Sequence, residues 1–304
     1  MKAVFLGTPD VAVPSLDALG RIADIAAVIT QPDRPRGRSK KPRPPAVKEH
    51  ALARGIPVHQ PGSSAEIADI LGDIGHLDVA VIVAFGMLIR PDALAVPARG
   101  FVNVHFSILP RWRGAAPVQR AIQAGDATTG VTLMALDEGL DTGPIYSTRV
   151  TTLSPNETAG EVFDRLSHTG ARHLEQLLGS IVSRRVVATR QKEDRATHAA
   201  KVSPSERRIE LEAPSVAIRR LVHALSPAPG AYAMLEQERF KLVRVRDTSR
   251  PSSTPGELAM HEGRLLMGTA TTQLELLEVQ PFGKRVMSGR DWALGRRQAL
   301  GALT

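Results

Sequence analysis

The sequence predicts an α/β protein in which a mostly parallel sheet domain is followed by a small β-barrel. In the first part of the chain, short β-branched runs alternate with amphipathic helical stretches, which favours a parallel sheet covered by helices. One run, Val79–Ala84, is apolar at every position, as is typical of a strand buried on both faces. The last part instead carries short strand patterns separated by turn residues, which favours a small barrel.

The elements of the sheet domain are predicted in order from these patterns. A helix around Leu16–Arg21 separates the first two strands. Pro45 is well placed to open a second helix, which runs through Ala53 and ends at Gly55. The strands themselves are predicted at Lys2–Leu6, Ile25–Thr30, Val79–Ala84, Phe101–His105 and Val131–Leu136.

A long amphipathic helix is predicted to end the first domain. Apolar residues recur at helical spacing from Val162 to Ile181, and Asn156 or Thr158 precedes them as the cap. The pattern then changes to a polar, strongly basic stretch that we interpret as a linker. The predicted boundaries are residues 1–184 for the sheet domain, 185–208 for the basic linker and 209–304 for the small domain.

The small domain is predicted to begin with a short helix that Ser215 caps. Five strand patterns follow at the spacing of a small barrel. The complete prediction is therefore a Rossmann-like sheet domain followed by an OB-like β-barrel. The barrel strands are predicted at Ala231–Leu235, Phe240–Val245, Glu257–His261, Arg264–Met267 and Leu274–Val279.

Composition excludes several kinds of chemistry and suggests a partner. The 304 residues include no cysteine, which excludes disulfides, a thiol nucleophile and a zinc–thiolate site and fits a reducing compartment. The net charge of +8 suggests a polyanionic partner, and the alternative is a basic surface that serves solubility alone.

The apolar runs are short. The run that follows Met1 is too short for the core of a signal peptide, and the longest one, Val79–Phe85, is too short to span a bilayer. We therefore expect a cytoplasmic protein with no membrane association.

Asn103 and His105 end the predicted strand Phe101–His105. Being two residues apart, their side chains point to the same side of the sheet. Ligands bind at the carboxyl ends of strands in open α/β sheets. One such Asn or His alone is more often structural, so their combination with other polar groups decides the interpretation.

A second polar loop, Asp137–Pro144, follows the next predicted strand, and its Asp141 is expected to reach His105. Acyl transfer needs a donor to the developing oxyanion and a group that takes the proton of the attacking amine. Asn103 offers the donor, His105 donates or relays a proton, and Asp141 orients the imidazole. Because no activated hydroxyl or thiol is evident, direct transfer is favoured over an acyl-enzyme. The spacing alone leaves the reaction type open.

The segment Asn103–Gly114 resembles the N-x-H-x-S-L-L-P-x-x-R-G signature of the 10-formyltetrahydrofolate-dependent formyltransferases. Its one departure is Ile108 in place of the first Leu, and Asp141-Thr142-Gly143 matches the second motif of the family. The resemblance implies 10-formyltetrahydrofolate as formyl donor and a catalytic set of Asn103, His105 and Asp141. It also implies that the folate-binding turn consists of Ser107, Ile108, Leu109 and Pro110.

Further motifs are similar to the branch of this family that formylates the amino group of methionine on initiator tRNA. The chain differs from the pattern of this branch in its carboxyl half. There, Ala228 replaces the usual Trp, and Ile209-Glu210-Leu211 replaces the usual Ile-Asp-Trp. This resemblance implies initiator methionyl-tRNA as the partner and covers nearly the whole chain. The matching motifs are Gly7-Thr8-Pro9-Asp10, Gln31-Pro32-Asp33-Arg34, Pro110–Pro117, Pro227-x-Pro229-Gly230-Ala231 and Gly283-Lys284-x-x-Met287-Ser288.

A basic loop follows the second predicted strand and contains six cations without an acid. It is either a solvated excursion or a site for phosphate groups, and we favour the phosphate site. The resemblance implies contact with the acceptor end of tRNA, with Arg38 at the most important position. The predicted tRNA-binding residues are Arg34, Arg36, Arg38, Lys40, Lys41 and Arg43.

Metal binding is not expected, since the nine histidines are scattered and no H-E-x-x-H motif occurs. Two alternatives remain. One is a formyltransferase or formyl hydrolase of the same superfamily acting on a small-molecule amine, and the other is a non-catalytic RNA-binding protein. We expect the chain to act as a monomer.

Overall fold

Residues 1–35, 41–296 and 298–304 are described by the computed structural model, and they divide into two units that are each assembled from separate segments. The first unit comprises Met1–Gly114, Thr129–Thr151 and Phe163–His198. The second unit comprises Ala115–Thr128, Thr152–Val162 and Ala199–Thr304. The domain boundaries that we predicted from the sequence stay a prediction.

The first unit is built on a seven-stranded sheet with the order β5-β2-β1-β6-β7-β8-β9. The pairs β5–β2, β2–β1, β1–β6 and β6–β7 are parallel, whereas β7 and β8 are antiparallel. A separate two-stranded ribbon pairs β3 with β4. The strands are β1 (Lys2–Gly7), β2 (Asp24–Ile29), β3 (Arg34–Pro35), β4 (Pro42–Arg43), β5 (Val58–His59), β6 (Val79–Val83), β7 (Phe101–His105), β8 (Thr128–Ala135) and β9 (Ile145–Thr152).

Helices pack against this sheet because their apolar residues lie on one face. In the third helix, for example, Ile67 and Leu71 are four residues apart, and both are fully buried in a cluster with Val4 and Ile82 of the sheet. The helices up to residue 182 are α1 (Val13–Ile22), α2 (Ala46–Leu52), α3 (Glu66–Ile74), α4 (Pro91–Leu94), α5 (Pro117–Ala124) and α6 (Ala159–Val182). Of these, α5 belongs to the second unit and α6 is divided between the units at residue 163.

The second unit contains a six-stranded antiparallel sheet with the order β10-β11-β14-β13-β12, in which β15 also pairs with β14. Its core includes Phe240 and Trp292, whose ring centroids lie 4.6 Å apart. The elements are α7 (Ser215–Leu225), β10 (Ala231–Leu235), β11 (Glu238–Pro251), β12 (Leu258–His261), β13 (Arg264–Met267), β14 (Thr272–Gln280), β15 (Met287–Ser288) and α8 (Gly289–Leu294).

The predicted fold class is confirmed: a mostly parallel α/β sheet is followed by an antiparallel, strand-rich unit. The cap of the long helix is also confirmed. The Thr158 amide donates to Glu161 Oε2 at 2.8 Å and the Glu161 amide donates to Thr158 Oγ1 at 3.4 Å, which forms a reciprocal capping box. Ser215 is not a cap, because it is the first residue of α7 and its hydroxyl lies 2.9 Å from Thr272 Oγ1.

Glu206 in the second unit should make stability depend on acid pH. Arg120 Nη1 donates to Glu206 Oε1 at 2.5 Å and the Ser203 amide donates to Oε2 at 2.7 Å. These bonds, that of Arg120 first, lower the pKa of Glu206 from 4.5 to about 2. Because the folded-state pKa is depressed, this stabilisation is present above about pH 4.5 and is lost as pH falls toward 2.

We expect Glu206→Gln to destabilise the protein near neutral pH and to have a smaller effect in acid. The Glu206 side chain is 37% exposed, so solvent screening limits the effect to about 1 kcal/mol. Urea unfolding of parent and variant near neutral pH and at about pH 3 measures it. A parent–variant difference that is the same at both pH values would contradict the assignment.

Candidate functional site

The catalytic candidates lie where β7 ends. Asn103 and His105 occupy alternate positions of β7, so that both side chains point to the same side of the sheet. Asn103 is 9% exposed and His105 is 7% exposed. Buried polar side chains at a strand end need partners, and the partners come from the loops that follow β7 and β8.

Asp141 reaches both residues from the loop after β8. Its Oδ1 accepts from Asn103 Nδ2 at 3.4 Å, and its Oδ2 lies 3.6 Å from His105 Nδ1. The amide of Gly114 donates to the same Oδ2 at 2.8 Å. The structure therefore brings the predicted amide, imidazole and carboxylate together, and the carboxylate also holds the loop that follows β7.

The hydrogen bonds of His105 indicate where its proton lies. Nε2 is 3.0 Å from the carbonyl oxygen of Trp112, and a carbonyl oxygen can only accept, so Nε2 carries hydrogen. In the neutral ring, Nδ1 then has a lone pair directed toward the Asp141 carboxylate. A proton that arrives at Nδ1 is stabilised by this negative charge. Because Nε2 is engaged by Trp112, the geometry favours proton acceptance at Nδ1 over donation to an oxyanion.

The turn Ser107–Pro110, which the resemblance assigns to folate, is held by its own hydrogen bonds. Ser107 is 1% exposed, and its hydroxyl donates to the Arg111 carbonyl at 2.7 Å. Thr132 Oγ1 of β8 donates to the Ser107 carbonyl at 2.7 Å and accepts from the Leu109 amide at 3.3 Å. Leu109 is buried, whereas Ile108 and Pro110 are half-buried. The turn is therefore a fixed surface beside the candidate site, and its role toward folate stays a prediction.

The ends of the basic loop lie opposite each other in the ribbon of β3 and β4, where Arg34 pairs with Arg43 in register. Both side chains and that of Lys41 are exposed. Like charges directly opposite each other destabilise an isolated ribbon, and an anionic partner relieves the repulsion. The other predicted tRNA-binding residues, Arg36, Arg38 and Lys40, lie outside the described residues.

A polar network fixes the chain just before this ribbon. Lys48 Nζ donates to Asp33 Oδ1 at 2.9 Å and to Gln60 Oε1 at 2.6 Å. Gln60 Nε2 donates to the Gln31 carbonyl at 2.8 Å and to Asp33 Oδ1 at 2.8 Å. Hydrogen bonds from Lys48 first, and then from Gln60, lower the pKa of Asp33. The network ties the motif Gln31–Arg34 to α2 and to the chain after β5.

Residues of the predicted linker contact the site, although their sequence pattern does not indicate it. Gln191 Nε2 donates to the carbonyls of Asp141 at 2.8 Å and Gly143 at 2.7 Å, and its Oε1 accepts from Arg113 Nε at 3.0 Å. Arg113 also binds both carboxylate oxygens of Glu193, at 2.9 and 2.8 Å. In sequence, Gln191 is one polar residue in a polar, basic stretch, and neither spacing nor periodicity distinguishes it.

The second unit carries its own cationic cluster around Tyr232. The guanidinium of Arg239 lies 4.7 Å from the Tyr232 ring centroid and that of Arg207 lies 5.9 Å from it. Desolvation first, and then the charges of Arg207 and Arg239, lower the pKa of Lys241. Within residues 1–35, 41–296 and 298–304, none of the three cations forms an ion pair with a carboxylate. The cluster therefore carries uncompensated positive charge beside an aromatic ring.

In the described part of the chain, no group of three or more His, Cys, Asp or Glu side chains is placed to hold a metal ion. The same part contains no helix that is both long and apolar enough to cross a membrane.

Two family models match the chain. Residues 1–178 match the model described as formyl transferase, and residues 201–297 match that described as formyl transferase, C-terminal domain. Among curated relatives, a methionyl-tRNA formyltransferase of Cutibacterium acnes is 44% identical over 97% of this chain and 97% of its own length. A methionyl-tRNA formyltransferase of Streptomyces griseus is 41% identical over 100% of this chain and 99% of its own.

Solved structures share the fold at low sequence identity. HypX of Aquifex aeolicus, in complex with tetrahydrofolic acid, has a TM-score of 0.70 at 15% identity, covering 96% of this chain and 47% of HypX. An N-formyltransferase of Helicobacter canadensis, in complex with folinic acid and dTDP-3-aminofucose, has a TM-score of 0.69 at 15% identity. That match covers 93% of this chain and 100% of the Helicobacter chain.

Proposed function

Because this chain belongs to the formyl transferase family, we propose that its strand-end site transfers a formyl group from 10-formyltetrahydrofolate to the α-amino group of methionine on initiator methionyl-tRNA. The chain is thus a one-carbon group transferase of translation initiation. The observation that carries the proposal is the contact of Asn103, His105 and Asp141 at the end of β7. It occurs in a chain whose curated relatives, similar over nearly their full length, are named for this reaction.

In the proposed mechanism the amine attacks the formyl carbon directly. A C–N bond forms, the carbonyl electrons move to oxygen, and the Asn103 amide donates a hydrogen bond to that oxyanion. His105 Nδ1 accepts the proton that the amine loses, and Asp141 stabilises the imidazolium. When the oxyanion collapses, the bond between the formyl carbon and the folate nitrogen breaks, and this nitrogen takes up the proton that His105 accepted from the amine. The Ser107 hydroxyl donates to a backbone carbonyl, which supports direct transfer over an acyl-enzyme.

The direct test is formylation of charged initiator tRNA by purified protein supplied with 10-formyltetrahydrofolate. We expect formyl-methionyl-tRNA to form, and uncharged tRNA and free methionine to remain unmodified. An aminosugar nucleotide assayed in parallel tests the small-molecule alternative. Formylation of the small amine without formylation of the charged tRNA would overturn the proposed acceptor.

Binding of tRNA is proposed for the basic loop and for the cluster around Tyr232. The support is the pair Arg34 and Arg43 in register on one ribbon, and uncompensated cations beside an aromatic ring in the second unit. Such groups contact the phosphate backbone and hold an acceptor without reading its sequence. Since the proposed acceptor is used in translation, we also propose a cytoplasmic location. The monomeric state expected from the sequence stays a prediction that sedimentation can test.

We expect Arg34→Ala/Arg43→Ala to weaken tRNA binding and to reduce its salt dependence. Each phosphate contact that is lost should lower the slope of log affinity against log salt by about 1, so the double variant should lose about 2. Arg38→Ala should raise the KM for tRNA without affecting folate binding. Arg99→Ala is the matched control, because exposed Arg99 precedes β7 at the opposite end from His105. Equal salt slopes for the double variant and the control would contradict a phosphate-binding role.

A further inference from the structure

One side chain joins the two loops that form the candidate site. Gln191 uses both amide hydrogens of Nε2 on backbone carbonyls of the loop after β8, those of Asp141 and Gly143, at 2.8 and 2.7 Å. Its Oε1 accepts from Arg113 Nε, in the loop after β7, at 3.0 Å. Each of these groups belongs to the first unit. The Gln191 amide therefore bridges the loop that carries Asp141 and the loop that follows His105.

The partners determine the orientation of the Gln191 amide. A guanidinium offers only hydrogen-bond donors, so Oε1 must face Arg113, and carbonyl oxygens only accept, so Nε2 must face Asp141 and Gly143. Arg113 is itself fixed, being 2% exposed and bound through two nitrogens to both carboxylate oxygens of Glu193. The hydrogen bond with Glu193 also raises the pKa of Arg113, which keeps it a donor.

Gln191 binds the backbone of a residue, Asp141, that has an unfavourable conformation. Asp141 has a φ of 53°, in the left-handed region that costs a non-glycine residue free energy and persists only where surrounding contacts enforce it. Gln191 binds the carbonyl of Asp141 itself. The same residue's carboxylate contacts Asn103, His105 and the Gly114 amide. Releasing the Asp141 carbonyl would allow its carboxylate to move away from all three.

We propose that Gln191 is a positioning residue for formyl transfer, which acts by holding Asp141 in the orientation that serves Asn103 and His105. The proposal rests on the proposed function for its effect on catalysis. Its effect on the Asp141 carboxylate is independent of which acceptor the enzyme uses. A displacement of about 1 Å at a catalytic group can lower turnover by about 10²-fold, so a residue outside the reacting set can have a large effect.

Two variants separate the contacts of Gln191. Gln191→Ala removes all three hydrogen bonds. Gln191→Glu keeps an oxygen for Arg113 but has no N–H donors for Asp141 and Gly143. We expect both to lower kcat by about 10- to 100-fold with little change in the KM values, because Gln191 is not among the residues proposed to bind folate or tRNA. Lys192→Ala is the control, because the exposed neighbouring side chain makes none of these contacts. A Gln191→Glu variant with parental kcat would overturn the proposal.

The amide of Gly114 gives a readout that requires no activity. It donates to Asp141 Oδ2 at 2.8 Å, so its hydrogen exchange reports the position of that carboxylate. We expect exchange at Gly114 to be at least about 10-fold faster in both Gln191 variants and unchanged in Lys192→Ala, with similar unfolding midpoints. Unchanged exchange at Gly114 in both Gln191 variants would overturn the proposal. If exchange accelerates but the parent fails to formylate charged tRNA, the positioning role stands and the proposed function falls.

Discussion

Asp141→Asn is expected to lower kcat for formyl transfer by about 10²-fold or more, with little change in stability. The substitution keeps the shape of the side chain but removes the charge that faces His105 Nδ1 at 3.6 Å. A proton taken from the attacking amine would then lack its stabilising partner. Steady-state kinetics with charged tRNA and the formyl donor measure kcat, and thermal unfolding measures the change in stability.

The three catalytic candidates should behave as one unit. Asn103→Ala and His105→Ala are each expected to cost a similar factor, and combining either with Asp141→Asn should cost less than the product of the two single effects. Glu138→Gln is the matched control, since it removes one negative charge from an exposed position of the same loop. Near-parental turnover in all three single variants would refute the assignment of the site.

Gly143→Ala is expected to destabilise the protein by about 3 kcal/mol and to reduce activity. A Cβ at Gly143 would overlap the backbone carbonyl oxygen of Ala135, which cannot rotate away as a flexible side chain can. The strand end is further fixed because the Ala135 amide donates to the Pro144 carbonyl at 2.9 Å. Any shift that relieves the overlap must therefore displace the loop that carries Asp141.

Gly179→Ala is the matched control for this substitution. Gly179 lies within α6, is exposed, and has nothing within 4 Å of the position of an added Cβ. Alanine there should stabilise the protein by about 0.5–1 kcal/mol because glycine is unfavourable inside a helix. Denaturant unfolding of both variants separates the overlap from the general effect of replacing glycine. Equal free energies of unfolding for Gly143→Ala and the parent would contradict the packing argument.

The catalytic candidates could be predicted from sequence because their signal is local. Asn103 and His105 interrupt an apolar strand, and Asp141 lies in a loop with two glycines, so alternation and strand-end chemistry identify them. The structure brings the three side chains together, and their catalytic role stays a prediction. Gln191 could not be found in this way, because its role comes from three partners that are far from it in sequence. Only the fold places the predicted linker beside Arg113 and Asp141.

Strands β5 and β9 were not predicted from the sequence, because one is very short and the other has a polar pattern. The strand β5 has only two residues, Val58–His59, which is below the length at which alternation can be recognised. Strand β9 is rich in threonine and only partly buried, so its polar residues concealed it. The predicted strand Val131–Leu136 exists as β8 but runs antiparallel to β7, and strand direction depends on the connection and not on the residues of the strand.

The alternation of the two units along the chain bears on how the protein is synthesised. Six segments belong in turn to the first and second units, so the chain passes from one to the other five times. The first unit requires residues up to His198, and the second requires Ala115–Thr128, which emerge from the ribosome long before Ala199–Thr304. Helix α5 packs against α7 of the same unit, so its packing can be completed only after Ser215–Leu225 has been synthesised. A single proteolytic cut therefore cannot separate the two units intact. Likewise, a single recombination point between relatives cannot exchange one unit and leave the other whole.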